Sequence, residues 1–269
     1  MPTFNWATVL PYSIGSALRQ TMPDFELLVI GDGCTDESEE VVRGIGDPRV
    51  QWINLPANTG SQAGPNNEGL KRARAAHIAY LGHDDLWLPD HLRHLLAAAQ
   101  DGTPLVHGLQ LRIEPEAAPY IAPRRELTYQ AGFWIPPTSF MHQTRAARSF
   151  GGWRFPKDCG GYDPESYLCM CITAKFGMPK CVPHVTSIKF PAVRRRDVYR
   201  LRPHHEQERW TRRILDAPDP EQAAREATKD PVDASLGPLP VELKGEQPES
   251  AAERHAMRRR IKGLEGGNL

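Results

Sequence analysis

Two adjacent carboxylates, Asp84 and Asp85, close the string Gly82-His83-Asp84-Asp85, directly after an apolar run from His77 to Leu81. Side by side they repel each other unless a cation or hydrogen-bond donors compensate. Hard oxygen ligands suit magnesium or manganese, which keep one or two protein carboxylates and leave the other positions to water and substrate phosphate. The competing role is structural, with both acids capping a helix that starts near Pro89. A second polar turn, Gly31-Asp32-Gly33-Cys34-Thr35-Asp36, follows another apolar run, and Asp32 there favours a shared site over two unrelated caps. Further polar turns stand at Pro2-Thr3-Phe4-Asn5 and at Asn58-Thr59-Gly60, which leads into Asn66-Asn67-Glu68-Gly69.

Such turns meet only if a sheet aligns them. In an open, mostly parallel sheet the ligand lies beyond the carboxyl ends of the strands. Residues 1 to about 110 alternate short apolar runs with helical patterns, as a βαβ protein does. Phe25–Ile30, Val50–Leu55, His77–Leu81 and Val106–Ile113 read as strands. Helices open at Pro11 and Asp36, run over Ser61–Ala75, and extend from Leu88-Pro89-Asp90 to about Gln100. Prolines punctuate 114–137 as a loop-rich stretch. Helices over Thr144–Phe150 and Pro164–Phe176 and a strand over Cys181–Phe190 complete the pattern. The fold class is therefore α/β, with residues 1–192 as one domain and 193–269 as a helical, partly loose extension. In that extension, Arg194–Leu215 reads as one helix, Pro218–Leu243 as loose chain and Ala251–Leu264 as a short charged helix.

The chain has 269 residues, 40% of them hydrophobic, enough for a sizeable core. Its 33 basic and 33 acidic residues cancel, so no global field collects nucleic acid. No apolar run approaches bilayer-spanning length, and the five cysteines lack CxxC spacing, which points to a soluble, unexported, cytoplasmic protein with free thiols. GxGxxG and GxxxxGK[ST] loops are both absent. His91 and His94 read as a half-buried helix face, His184 as a structural histidine, and Arg194–Arg196 and Arg258–Arg260 as helix surface.

The string from Pro2 to Leu92 resembles the family 2 glycosyltransferases of the GT-A fold. The resemblance rests on the ordered set Pro2-Thr3-Phe4-Asn5, Gly31 to Asp36, Asn58-Thr59-Gly60, Asn66-Asn67-Glu68-Gly69, Gly82 to Asp85 and Pro89-Asp90-His91-Leu92. It implies a Rossmann-like sheet and an inverting transferase that uses a nucleotide-diphosphate sugar, with Mn2+ or Mg2+ as cofactor. Thr3 and Phe4 would flank the base, and Asp32 would accept from it in the manner of a uridine reader. Asp84 would hold the metal, Asp85 would support the metal or the donor sugar, and His83 would contact the ribose. Asn66 takes the position of an arginine that often meets the pyrophosphate. The base for the acceptor hydroxyl would be Glu165, three residues before Leu168, with Asp163 as the second choice; structurally the pair could equally be a helix N-cap and a surface acid. Trp134 to Ser139, with His142, resembles an acceptor-side loop. The acceptor is a saccharide, a lipid-linked group or a small molecule.

Departures from the family's pattern are Gly31, Gly82 and Asn66, and no apolar strand precedes Pro2, which suggests that Met1 is internal to a strand beginning upstream. These departures motivate a rival, a nucleotide-binding or scaffold protein of the same fold without turnover. A nucleotidyltransferase is a weaker third reading, because no early Gly-rich loop is present.

Overall fold

Leu27–Gly31 (β2) is nearly continuous in apolar residues because both of its faces and both of its edges are covered. It lies between β1 (Pro2–Thr3) and β3 (Val50–Asn54) in a parallel ladder. Parallel pairing demands crossovers, supplied by α1 (Leu10–Leu18), with Pro11 in its first turn, and α2 (Ser38–Gly44). The chain then runs through α3 (Ala63–Arg72) into β4 (His77–Ala79) and β5 (Leu86–Trp87). The computed structural model describes residues 1–123, 134–244 and 250–264. The middle of the proline-punctuated stretch 114–137 lies outside the described residues.

A second sheet has the order β4-β8-β6-β9-β5, where β6 is Leu105–Arg112, β8 is Phe140–Gln143 and β9 is Lys180–Lys189. A short β7 (Tyr120–Ala122) pairs with β6. Among the described residues only β6 and β9 run parallel in this sheet; β8 and β5 pair antiparallel with their neighbours. The parallel pairing of the expected mostly parallel sheet lies in the first ladder and in the β6–β9 pair. Between the strands run α4 (His91–Ala99), α5 (Thr144–Arg148) and α6 (Pro164–Phe176). The two sheets flank an apolar cavity of about 280 Å³ bordered by β2 and β4. Met1 is buried beside the two-residue β1.

The expected single helix over Arg194–Leu215 is broken into three pieces. They are a 3-10 turn at Ala192–Arg194, α7 (Val198–Leu201) and α8 (His205–Trp210), which continues as a π turn over Thr211–Leu215. Asp197 (φ 54°) and Arg202 (φ 51°) adopt the left-handed region, and Pro203 disfavours helix in the residue before it. Within the stretch read as loose, α9 (Pro220–Glu226) forms under an Asp219 cap that accepts from the Gln222 amide. Ala224, Trp210 and Ile214 are buried in one cluster with Leu86, Leu111 and Ile188, so these helices close over the second sheet. After α10 (Val241–Lys244), α11 (Ala251–Lys262) starts at a reciprocal Ser250–Glu253 capping box, as its charged, capped sequence suggests.

Candidate functional site

Chain segments that follow β1, β2 and β4 open onto one crevice of about 280 Å³. Thr3 and Phe4 reach it from the first, Asp32 from the second, and Gly82, His83 and Asp84 from the third. Asp163 and Glu165, at the start of α6, line the same crevice. The acids that the sequence placed on separate strands therefore converge.

Asp84 and Asp85 have opposite surroundings. Asp84 is only 6% exposed, yet among the described residues no donor hydrogen-bonds its carboxylate. Asp85 is fully buried, and both of its oxygens are engaged: Oδ2 accepts from Lys189 Nζ at 2.8 Å and from the Thr138 hydroxyl, and Oδ1 accepts from the Phe190 amide at 3.1 Å. Asp85 does not reach the crevice, so its expected place beside a metal gives way to a positioning role. Gly82 lets the acids fold back here, because a Cβ would lie 2.6 Å from Asp85 Oδ2 and 3.2 Å from Asp84 Oδ1. Gly31 is similarly required: a Cβ would lie 2.5 Å from Asn54 Oδ1, which is fixed by the Cys34 amide. Both departures from the family's acids are thus built into the packing.

Burial opposes the charge on Lys189, but the Asp85 and Asp84 carboxylates outweigh it and raise its pKa. Removing one member of such a buried pair strands the other. Lys189→Met is expected to lower stability by about 3–5 kcal/mol, read as a fall in the urea midpoint at neutral pH.

His83 is locked. Its Nδ1 lies 3.0 Å from Thr3 Oγ1 and accepts from the Phe4 amide at 3.4 Å, which leaves the ring proton on Nε2, 3.0 Å from Tyr199 Oη. Burial lowers its pKa to about 3, so the ring is neutral and ties the turn after β1 to the one after β4. Asp32 Oδ1 accepts from the Thr59 amide at 3.0 Å and the Thr59 hydroxyl at 2.8 Å. Those bonds only partly offset burial, which raises its pKa.

Glu165 sits in the first turn of α6, behind Asp163 at the N-cap and Pro164. Its Oε1 accepts from Trp134 Nε1 at 2.7 Å and its Oε2 from Gln62 Nε2 at 2.9 Å. Burial, then repulsion from Asp163, raises its pKa. Asp163 is instead paired with Arg258 at 2.6 Å. From the expected acceptor-side loop, Trp134 donates to Glu165 and Thr138 to Asp85, whereas His142 is buried against Tyr80.

Two expectations are corrected. Asn66 does not line the crevice; α3 begins at Ala63 and turns Asn66 toward the apolar cavity between the sheets, where its Nδ2 is buried without a partner. The Arg258–Arg260 run is not simply helix surface, since Arg258 and Arg259 line the crevice together with His255 and Lys262 of the same helix. Arg259 and His255 both reach the Gly60 carbonyl, at 3.1 and 3.2 Å. Burial lowers Lys262 to about 8, against the attraction of Asp84, and its Nζ lies 5.3 Å from the centre of the Tyr199 ring. The signal for this wall was present in the spacing: residues 255, 258, 259 and 262 are i, i+3, i+4 and i+7, one face of a helix.

The residues present fit a divalent cation. A buried carboxylate with no donor of its own, facing a cavity with a cationic wall, suits a hard ion that shares its remaining positions with phosphate oxygens and water. Asp84 would hold it.

Residues 1–155, more than half of the chain, match the family model described as glycosyl transferase family 2. A UDP-Glc:alpha-D-GlcNAc-diphosphoundecaprenol beta-1,3-glucosyltransferase of Escherichia coli is 35% identical over 92 residues, 34% of this chain and 36% of that protein. The chain spans under half the length of the curated relatives it matches first. Among solved structures, S. aureus TarS in complex with UDP-GlcNAc superposes with a TM-score of 0.61 at 14% identity, covering 84% of this chain and 68% of that one. The mannosyltransferase PcManGT of Pyrobaculum calidifontis, in complex with GDP-Man and Mn2+, superposes with a TM-score of 0.57 at 16% identity, covering 98% and 84%. The fold they share with this chain is GT-A. No helix among the described residues is long and apolar enough to cross a membrane.

Proposed function

The chain belongs to glycosyl transferase family 2, and on that premise we propose that it moves a sugar from a UDP-sugar donor to an acceptor hydroxyl with inversion at the anomeric carbon. The carrying observation is the crevice itself, where an unpartnered buried carboxylate, a second carboxylate of raised pKa and a cationic helix face share one space. In this reading Thr3 and Phe4 flank the base, and the free capacity of Asp32 reads it. The neutral His83 ring fixes the two turns that contact the ribose. Arg258, Arg259 and Lys262 oppose the charge of the diphosphate, the task that Asn66 is too far inside α3 to perform. Asp84 would hold Mn2+ or Mg2+, which when bound would supply Lewis-acid neutralisation of the charge on the leaving diphosphate. Glu165 takes the proton of the acceptor hydroxyl as that oxygen attacks the anomeric carbon. Trp134 and Gln62 hold both of its oxygens, which sets the direction of the carboxylate before the acceptor arrives.

The donor class is testable without knowing the acceptor. A ligand that binds only the native state stabilises it by about 2.7 kcal/mol at a hundred times its Kd. UDP with manganese is expected to raise Tm by several degrees, with UDP alone giving a smaller rise and GDP, ADP and CDP giving little. An equal response to all four nucleotides would remove uridine reading, and no response to any would favour a scaffold without turnover.

A further inference from the structure

Outside the crevice, three metal-ligating side chains from distant parts of the sequence meet on the far side of β9. His94 comes half-buried from the first half of α4, His184 from the middle of β9 and Glu221 from the first turn of α9. One ligand atom from each lies within 4.8 Å of the other two. None of the three belongs to the crevice. The imidazoles of His94 and His184 stack with ring centres 3.8 Å apart at an angle of 14°. His184 Nδ1 lies 2.8 Å from Glu221 Oε2. The other oxygen of Glu221 is fixed from behind, by the Val185 amide at 3.0 Å and by Arg225 at 2.6 Å.

We propose that His94, His184 and Glu221 form a second cation site, for a zinc-like divalent ion, that fastens α9 to β9 and α4. Two imidazole nitrogens and one carboxylate oxygen are the ligand set of open tetrahedral zinc sites, with water in the fourth position. Ligands about 2.1 Å from zinc stand roughly 3.4 Å apart at the tetrahedral angle, so closing the site takes about an ångström of side-chain rotation at half-exposed residues. The carboxylate is already oriented by a backbone amide and an arginine, the kind of outer support that fixes metal ligands. The preference for nitrogen donors separates this site from the crevice, where the free group is a lone carboxylate suited to magnesium or manganese.

The test uses the full chain with millimolar magnesium and UDP present, so that the crevice is occupied by its own preferred cation. Calorimetry is expected to show one zinc ion bound per chain in the micromolar range or tighter. Cobalt in its place is expected to give the visible absorption of a tetrahedral ion. His94→Ala and His184→Ala are each expected to weaken zinc binding by about a hundredfold or more, while Asp84→Asn, which empties the crevice of its ligand, leaves it unchanged. Glu221→Gln, which keeps the hydrogen bonds that hold α9, serves as the gentler variant if either alanine variant fails to fold. No zinc binding by the parent chain overturns the proposal. So does zinc binding that survives both histidine variants or vanishes in Asp84→Asn. Because UDP binding is read separately, this site and the transferase reading stand or fall independently.

Discussion

Asp84→Asn is expected to fold as the parent chain does and to lose about a thousandfold or more in kcat/KM for sugar transfer or donor hydrolysis. That loss corresponds to about 4 kcal/mol of transition-state stabilisation, in the range a single Lewis-acid contact supplies. The two adjacent acids differ in their partners. Asp84 has no hydrogen-bond donor among the described residues, so an amide of the same shape disturbs no internal partner. Its charge does attract the buried Lys189 and Lys262, and losing that attraction offsets the gain from no longer burying a charge. Stability is therefore expected to change little, while the manganese-dependent part of the UDP-induced Tm shift disappears. Asp85→Asn is expected to do the reverse. It leaves Lys189 buried without its counter-charge, so the urea midpoint falls. Any activity loss in that variant follows from misplaced neighbours. An Asp84→Asn variant with parental turnover in manganese would defeat the assignment of Asp84.

The parts of this site visible in the sequence are those that depend on local pattern. Strand ends announce themselves as apolar runs stopped by Gly and Asp, and that pattern groups Asp32, His83 and Asp84. Pro164 behind Asp163 marks the start of α6, and with it the place of Glu165. The rest depends on contacts far apart in sequence. Trp134 and Glu165 are 31 residues apart, and Lys189 and Asp85 are 104 apart, so nothing in either segment announces the other. The cationic face of α11 is the clearest case. Periodicity puts His255, Arg258, Arg259 and Lys262 on one side, but a charged stripe looks the same whether it meets water or a ligand. What decides the matter is Met257 and Ile261, which are buried and turn the helix so that the stripe faces the crevice. The break at Arg202-Pro203 was legible from Pro203 alone, because proline removes a helix donor and restricts the residue before it. Asn66 misled for the opposite reason. Its motif position suggested phosphate contact, but where α3 begins sets which way the side chain turns.

Glu165→Gln is expected to reduce kcat by about a hundredfold to ten-thousandfold, the usual contribution of a positioned base, with little change in donor KM. The substitution is nearly isosteric. Trp134 Nε1 can still donate to the amide oxygen, and Gln62 can rotate its own amide to accept from the new NH2, so the local geometry survives. The pH dependence gives a sharper test. Burial, then repulsion from Asp163, raises the Glu165 pKa above the ordinary glutamate value. The base is active only when ionised, so kcat/KM is expected to fall as pH drops through that raised value, tenfold per unit below it. The acidic limb therefore starts at higher pH than an exposed glutamate would give, and it is absent from the residual activity of Glu165→Gln. Stability follows from the same shift with its own sign. A carboxyl whose folded pKa is raised adds stability that is fully present below its unfolded pKa and lost as pH rises through the folded one. At neutral pH the ionised Glu165 thus carries a penalty that glutamine lacks, and the Tm of Glu165→Gln is expected to equal or exceed the parental value there. If Glu165→Gln keeps its turnover while Asp163→Asn loses it, the base is Asp163, and the Arg258 pair would have to open during each turnover.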